Sequence, residues 1–385
     1  MTQQTDITLH WFLPPFVDSR GILSGGHGSG TYHNELAAIN RDVDLNYLIQ
    51  LAKAAESNGI DSVLIPVGNW CEDPFIIAAS LVAATKSLQF LIALRPSSTS
   101  PLLTAQTISS LERLSGGRIR VNLVAGGEDT EMRAYGDHTT KEERYERAGE
   151  FLSALEQILY SGAPSDFKGK YYQLESAQLP KPLERHLPIF FSGSSAAAGK
   201  IGGQWADTYL TWGEPPAAVA EKTEWINQQV QAAGRGDGIE QGIRFHIIAR
   251  PTSEEAWDEA RRLLSGIDPE EVKKVQQRLA QSQSEGQRRM AALHNNGAAF
   301  QGVDDVHSLE IYPNVWAGVG LLRGGAGTAL VGSYDEVAER IEEYYRTAQS
   351  SHYVLSGYPH LEEVYHIGDG VIPALKRRGL SITHG

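Results

Sequence analysis

Cysteine is nearly absent: Cys71 is the single thiol in 385 residues. No intrachain disulfide can form, and a structural zinc site built from several thiolates is excluded. No run of about 18 apolar residues occurs, so no segment reads as a membrane span. Met1–Asp6 has neither a basic stretch nor an apolar core. The expectation is a cytoplasmic chain without a targeting segment. Basic residues are outnumbered, 34 Lys+Arg against 47 Asp+Glu, for a formal net charge of -13. That balance argues against a nucleic-acid partner. It also gives no bulk attraction for an anionic substrate, so an anion site must be a local cluster of Arg and His. The metal-binding patterns His-x-His and His-Glu-x-x-His, the Walker loop and the nucleophile elbow are all missing.

What is present is a rhythm. The chain is 41% hydrophobic, enough for a sizeable core. Short β-branched or aromatic runs recur at Ile7–Leu13, Ser62–Val67, Leu88–Leu94, Ile119–Val124, Pro188–Ser192, Asp207–Trp212, Ile243–Ala249 and His352–Ser356. Helical spacing fills the gaps, as in Asn46–Ser57, Arg144–Leu159 and Ala217–Ala233. Eight strands alternating with helices predict an α/β fold, a closed parallel (β/α)8 barrel. Two stretches exceed that repeat: Asp18–Asp44, rich in Gly, Ser and His, and a segment from about Pro269 to Val331. The latter holds helix-like Glu271–Gln287 and the Gly-rich run Arg323–Gly327. Such long connections are usually lids or binding loops. One barrel domain spanning 1–385 with these insertions is expected.

A barrel builds its site at the C-terminal ends of its strands. There the sequence delivers Trp70 and Cys71, Asn122, Ser192-Gly193-Ser194-Ser195, Trp212, the pair Arg244 and His246, and Tyr358 with His360. Arg244 and His246 are two apart and share one face of a strand. A charged pair on an apolar strand is costly unless it is paired or faces a ligand. Gly193-Ser194-Ser195 before a helix start could hold a phosphate, or could merely allow close packing. Paired carboxylates at strand ends are weak: Glu72 and Asp73 share a loop, and Glu214 is the remaining candidate.

These residues lie in stretches that carry a family resemblance. Cys71-Glu72-Asp73, Leu94–Ser97, Gly193–Ser195, Tyr209–Pro216, Gln287–His294, Trp316–Gly320, Arg323–Gly332 and Leu355–Glu363 resemble the FMNH2-dependent alkanesulfonate monooxygenases, a group of bacterial-luciferase-like barrels. The resemblance implies a two-component system. A separate NAD(P)H-dependent FMN reductase would supply FMNH2, O2 would be co-substrate, and an organosulfonate would yield sulfite and an aldehyde. It also implies a homodimer or homotetramer, and a lid near Arg323. On this reading Arg244 and Arg323 take the sulfonate oxygens. His246 orients the substrate or moves a proton near neutral pH, and Tyr358 is a donor or acid. Trp212, Trp70 and His360 border the substrate. Cys71, Asn122, Tyr145, Gly193, Ser194 and Ser195 contact the flavin. The sequence departs from the group's pattern at Val67-Gly68-Asn69-Trp70, where Thr-Gly-Arg is usual. It departs again at Val124-Ala125-Gly126, which lacks a threonine. These changes bear on substrate identity, and a bulkier sulfonate such as the sugar sulfoquinovose fits them. A luciferase-like enzyme acting on a sulfone, aldehyde or heterocycle is the alternative. A non-catalytic flavin-binding barrel and a flavin-free phosphate-ester enzyme are further readings.

Overall fold

A computed structural model describes residues 5–14, 17–22, 40–236, 238–297, 300 and 302–383. Eight parallel strands close into a barrel: β1 (Thr5–Phe12), β2 (Ser62–Ile65), β3 (Gln89–Leu94), β4 (Ile119–Leu123), β5 (Ile189–Ser192), β6 (Thr208–Trp212), β7 (Glu240–Arg250) and β8 (Ser350–Ser356). They pair in chain order. β8 returns to β1 through Thr8–His352 to Trp11–Leu355. The eight runs expected from the sequence are these eight strands, and the closed barrel is the fold.

β7 is longer than its apolar run suggests, at eleven residues. Its first half pairs with β6, up to Trp212–Arg244. Its second half, His246–Arg250, pairs with an additional parallel strand, Ala329–Ser333. That strand was not expected, because its apolar run follows directly on the Gly-rich stretch.

Alternation along the strands sorts the side chains into two environments. Ile7, Leu9 and Trp11 of β1 face outward into the layer between strands and helices. The helix Lys141–Tyr160 illustrates the other side of that layer. Thr140 and Glu143 form a reciprocal capping box at its start, and it buries Phe151, Leu152, Leu155 and Ile158. Each such side chain contributes about 1.5–3 kcal/mol by leaving water.

Inside the barrel the layers differ in kind. At the N-terminal end His10 bonds to Ser62 Oγ (2.6 Å) and to His352 (2.9 Å), which reaches Glu240 (2.9 Å). Above lies an apolar layer of Leu64, Leu91, Phe190, Leu210 and Val354, with Phe12 packed against it. The polar groups of the C-terminal end sit on top of that layer.

The long segment after β7 is folded. It is two helices, Pro269–Leu279 and Glu285–Leu293, where the sequence suggested one over Glu271–Gln287. Ser284 caps the second through Gln287 N–H, which is why the chain breaks there. A hairpin of Glu310–Tyr312 with Val315–Trp316 follows. Of the first-strand loop, Val17–Ser19 pairs with Asn40–Asp42. The stretch from 23 to 39 lies outside the described residues. Among the described residues no helix is long and apolar enough to cross a membrane, and no group of three or more His, Cys, Asp or Glu could hold a metal ion.

Candidate active site

A cavity of about 260 Å³ opens at the C-terminal end of the barrel. Phe12, Leu64, Ala93, Leu210 and Val354 form its floor, and Trp70, Asn122 and Trp212 stand in its walls. The post-β7 segment roofs it with Ser284–Gly286 and with Arg323–Ala326. The roof is tied down on both sides. Ser282 donates to Glu128 (2.5 Å), Gln283 Nε2 to Asp129 (3.1 Å), and Lys141 Nζ to the Gln283 carbonyl (3.2 Å). Across the mouth Arg289 forks onto Glu214. Gln287 accepts from Gly325 N–H (2.7 Å) and so fixes the Gly-rich loop. We call residues 282–289 the strap.

Arg244 and Arg323 both line the cavity. Arg244 donates to the carbonyls of Phe245 (2.5 Å) and Val354 (3.4 Å) and to Ser356 Oγ (2.8 Å). Arg323 donates to the Tyr358 hydroxyl (2.6 Å), and its Nε has no partner among the described residues. Both guanidinium groups sit near the Phe12 ring, 4.6 and 5.7 Å from its centroid. Among the described residues neither has a carboxylate within ion-pair distance. Burial, with Arg323 as a second cause, pushes the Arg244 pKa down to about 9. A guanidinium keeps its proton at neutral pH even so. A buried and a half-buried guanidinium that face one cavity without a counter-charge among the described residues could together take an anion.

His246 lies beneath this pair and does not border the cavity. Its Nδ1 is 2.9 Å from Ser356 Oγ, and its ring stacks on Tyr358 at 5.3 Å. Burial, Arg244 and Arg323 all hold it well below the usual histidine range. It is therefore held in the neutral form at pH 7. His360 is likewise buried and neutral, chiefly through desolvation. Its backbone N–H donates to Asp18, and its ring meets Trp11 and Tyr358 edge-on. Tyr358 and His360 stand behind the arginines and do not border the cavity.

A second polar corner lies at β5. Gly193 adopts φ +148, and a Cβ there would lie 2.6 Å from Ala198 Cβ. Only glycine lets the chain turn so tightly against the helix that follows. Ser195 caps that helix, Ala196–Trp205, through Ala198 N–H. Ser194, Ser195 and the buried Tyr145 all border the cavity. Tyr209 donates to the Gly193 carbonyl (2.7 Å) and locks the turn. Helix N–H groups, hydroxyls and a dipole end suit a phosphate dianion. Asn122 is buried, its Oδ1 has no partner among the described residues, and it also faces the cavity. A ring with a phosphate tail fits this donor set.

Cys71 is set apart from the cavity. Its thiol points at the Pro66 and Gly68 carbonyls, and burial pushes it up to about 12, so it remains protonated. Glu214 is committed to Lys222 and Arg289 and is held ionised, so it is no candidate acid. Several site residues escaped sequence reasoning. Ser356, which joins Arg244 to His246, follows β8's alternation and could have been found. Lys222 and Lys141 border the cavity from helices, where a lysine carries no signal of its own.

The profile of the luciferase-like monooxygenases matches residues 9–351. The chain belongs to the luciferase-like monooxygenase family. Solved structures with the same fold include a riboflavin lyase complexed with modified FMN and riboflavin. It is 20% identical with a TM-score of 0.78, covering 98% of this chain and 93% of that one. An EDTA monooxygenase from Chelativorans sp. BNC1 is 19% identical with a TM-score of 0.72, covering 97% and 95%. A long-chain alkane monooxygenase is 19% identical with a TM-score of 0.73, covering 99% and 93%. These likenesses establish the shared barrel; substrate and cofactor rest on the site itself.

Proposed function

We propose that this family member is an FMNH2- and O2-dependent monooxygenase that cleaves the C–S bond of an organosulfonate. The observation that carries the reading is the cavity-facing pair Arg244 and Arg323, neither of them paired with a carboxylate among the described residues. Guanidinium forks match the tetrahedral oxyanion of a sulfonate. The substrates named for the structural neighbours, EDTA and a long-chain alkane, differ sharply in charge. The arginine pair supports the anionic end of that range.

Gly193, Ser194, Ser195 and Tyr145 would hold the FMN phosphate, and Asn122 would meet the ring. Bound reduced FMN would supply two electrons, so that one oxygen of O2 reaches an aldehyde carbonyl, the other leaves as water, and sulfite departs. Arg244 and Arg323 hold the sulfonate and stabilise the charge that accumulates on departing sulfite. Tyr358, bonded to Arg323, keeps that guanidinium aimed at the anion. Trp212 and Trp70 orient the remainder of the substrate, and the strap excludes water. A separate NAD(P)H-dependent FMN reductase would deliver the reduced flavin.

The test is sulfite release from a panel of sulfonates, from methanesulfonate to sulfoquinovose, under air with FMN, NADH and a generic flavin reductase. Sulfite that vanishes when the reductase is omitted is the expected result. Turnover of the true substrate that survives Arg244→Ala and Arg323→Ala would sink the sulfonate reading and favour a sulfone, aldehyde or heterocycle.

A further inference from the structure

Lys141 is the first residue of the helix Lys141–Tyr160, one turn before Tyr145 and on the same face. Both residues border the cavity together with Ser194 and Ser195. The hydrogen bond that Lys141 makes is to a neutral acceptor, the Gln283 carbonyl of the strap, at 3.2 Å. No carboxylate among the described residues lies within ion-pair distance of its ammonium, although Glu285 borders the same cavity. An ammonium has three N–H donors, and one is engaged. It therefore stands between the β5 corner, which suits a phosphate, and a backbone group of the roof.

We propose that Lys141 binds the phosphate of the flavin and the Gln283 carbonyl together, so that the phosphate, rather than the ring, reinforces the contacts that hold the strap closed. This inference rests on the flavin reading above. A phosphate that recruits two N–H groups of Lys141 stiffens its side chain and strengthens the remaining bond to Gln283. By linkage, a closed strap then raises affinity for the phosphate-bearing cofactor by the same factor. The protein would thereby distinguish FMN from riboflavin in two ways: by affinity, and by whether the roof closes.

The experiment compares reduced FMN with reduced riboflavin under argon, titrated against tryptophan fluorescence, in the full-length wild type and in Lys141→Gln. Limited proteolysis within residues 280–293 is followed in parallel. A charge-assisted phosphate contact at a half-exposed site implies that Lys141→Gln weakens FMNH2 binding about tenfold. Riboflavin affinity should stay unchanged, which also shows that the variant is folded. Protection of the strap should appear with FMNH2 but not riboflavin in the wild type, and should disappear in the variant. Equal weakening of both flavins, or of neither, overturns the role of Lys141. So does equal strap protection by riboflavin. Failure of the wild type to bind either flavin overturns the flavin reading itself, and this inference with it.

Discussion

Replacing Arg244 by Met should cost the free protein little stability while making the enzyme worse. A drop in pKa from 12.5 to about 9 corresponds to roughly 5 kcal/mol working against the buried cation. Met keeps much of the volume and removes that term. It also removes hydrogen bonds to Phe245 O, Val354 O and Ser356 Oγ. Bonds from a charged donor are worth about 1.5–3 kcal/mol each, and Ser356 keeps His246 as a partner. The two sums are of similar size, so Tm should shift by no more than a few degrees. Catalysis should move the other way. Loss of a charged contact to the sulfonate is worth about 1.5–3 kcal/mol, so kcat/KM should fall roughly tenfold to a hundredfold. The free wild type should also gain Tm from added sulfate, by RT ln(1 + [L]/Kd), while Arg244→Met gains little. Calorimetry without ligand, calorimetry with sulfate and steady-state sulfite release measure the three quantities. A variant that loses many degrees of Tm without ligand, and retains full kcat/KM, would refute the idea that this charge is held for an anion.

Other perturbations separate the remaining parts of the site. Gly193→Ala forces a Cβ against Ala198 in a backbone region that disfavours it. Strain of about 1–3 kcal/mol should appear as a lower Tm, with FMNH2 binding weakened more than riboflavin binding. Glu214→Gln leaves Lys222 and Arg289 without their shared carboxylate. The expected loss is about 3–5 kcal/mol, with faster proteolysis of the strap; unchanged cleavage would argue that other contacts hold it. The buried histidines set an acid limit. His10, His246 and His360 have folded pKa values well below 6.5, and His294 is pushed down to about 4, each chiefly by burial. The unfolded chain takes up these protons first, so stability is full above about pH 6.5 and declines as pH falls below it. Glu363, raised to about 7 by burial, opposes the trend by one proton. Urea unfolding between pH 6.5 and 5 should report net uptake of more than one proton, and a flat profile would contradict the neutral assignments.

The barrel was legible because its signal is local. Each strand is a short apolar run bounded by turn residues, and helical spacing fills the intervals. Arg244 was legible for the same reason, as a charge interrupting an apolar strand. The strap was not. Its bonds join residues far apart in sequence, Glu128 to Ser282 and Glu214 to Arg289, and no periodicity records such pairs. The break between the helices Pro269–Leu279 and Glu285–Leu293 was hidden because Ala280–Gln283 contains neither Gly nor Pro. Cys71 owed its expected place at the flavin to the family resemblance alone, and its side chain turns back onto the loop carbonyls. His246 was found by position, but its protonation depends on burial and two neighbouring arginines, which only three dimensions supply.

The apolar layer of Leu64, Leu91, Phe190, Leu210 and Val354 has a kinetic consequence. It closes the floor of the barrel, so among the described residues the cavity opens at the C-terminal end. Reactants and products that enter there pass the same rim. Whatever seats deepest must arrive first and depart last. Steady-state patterns should therefore be sequential and ordered, with the last product to leave competing against the first reactant to arrive.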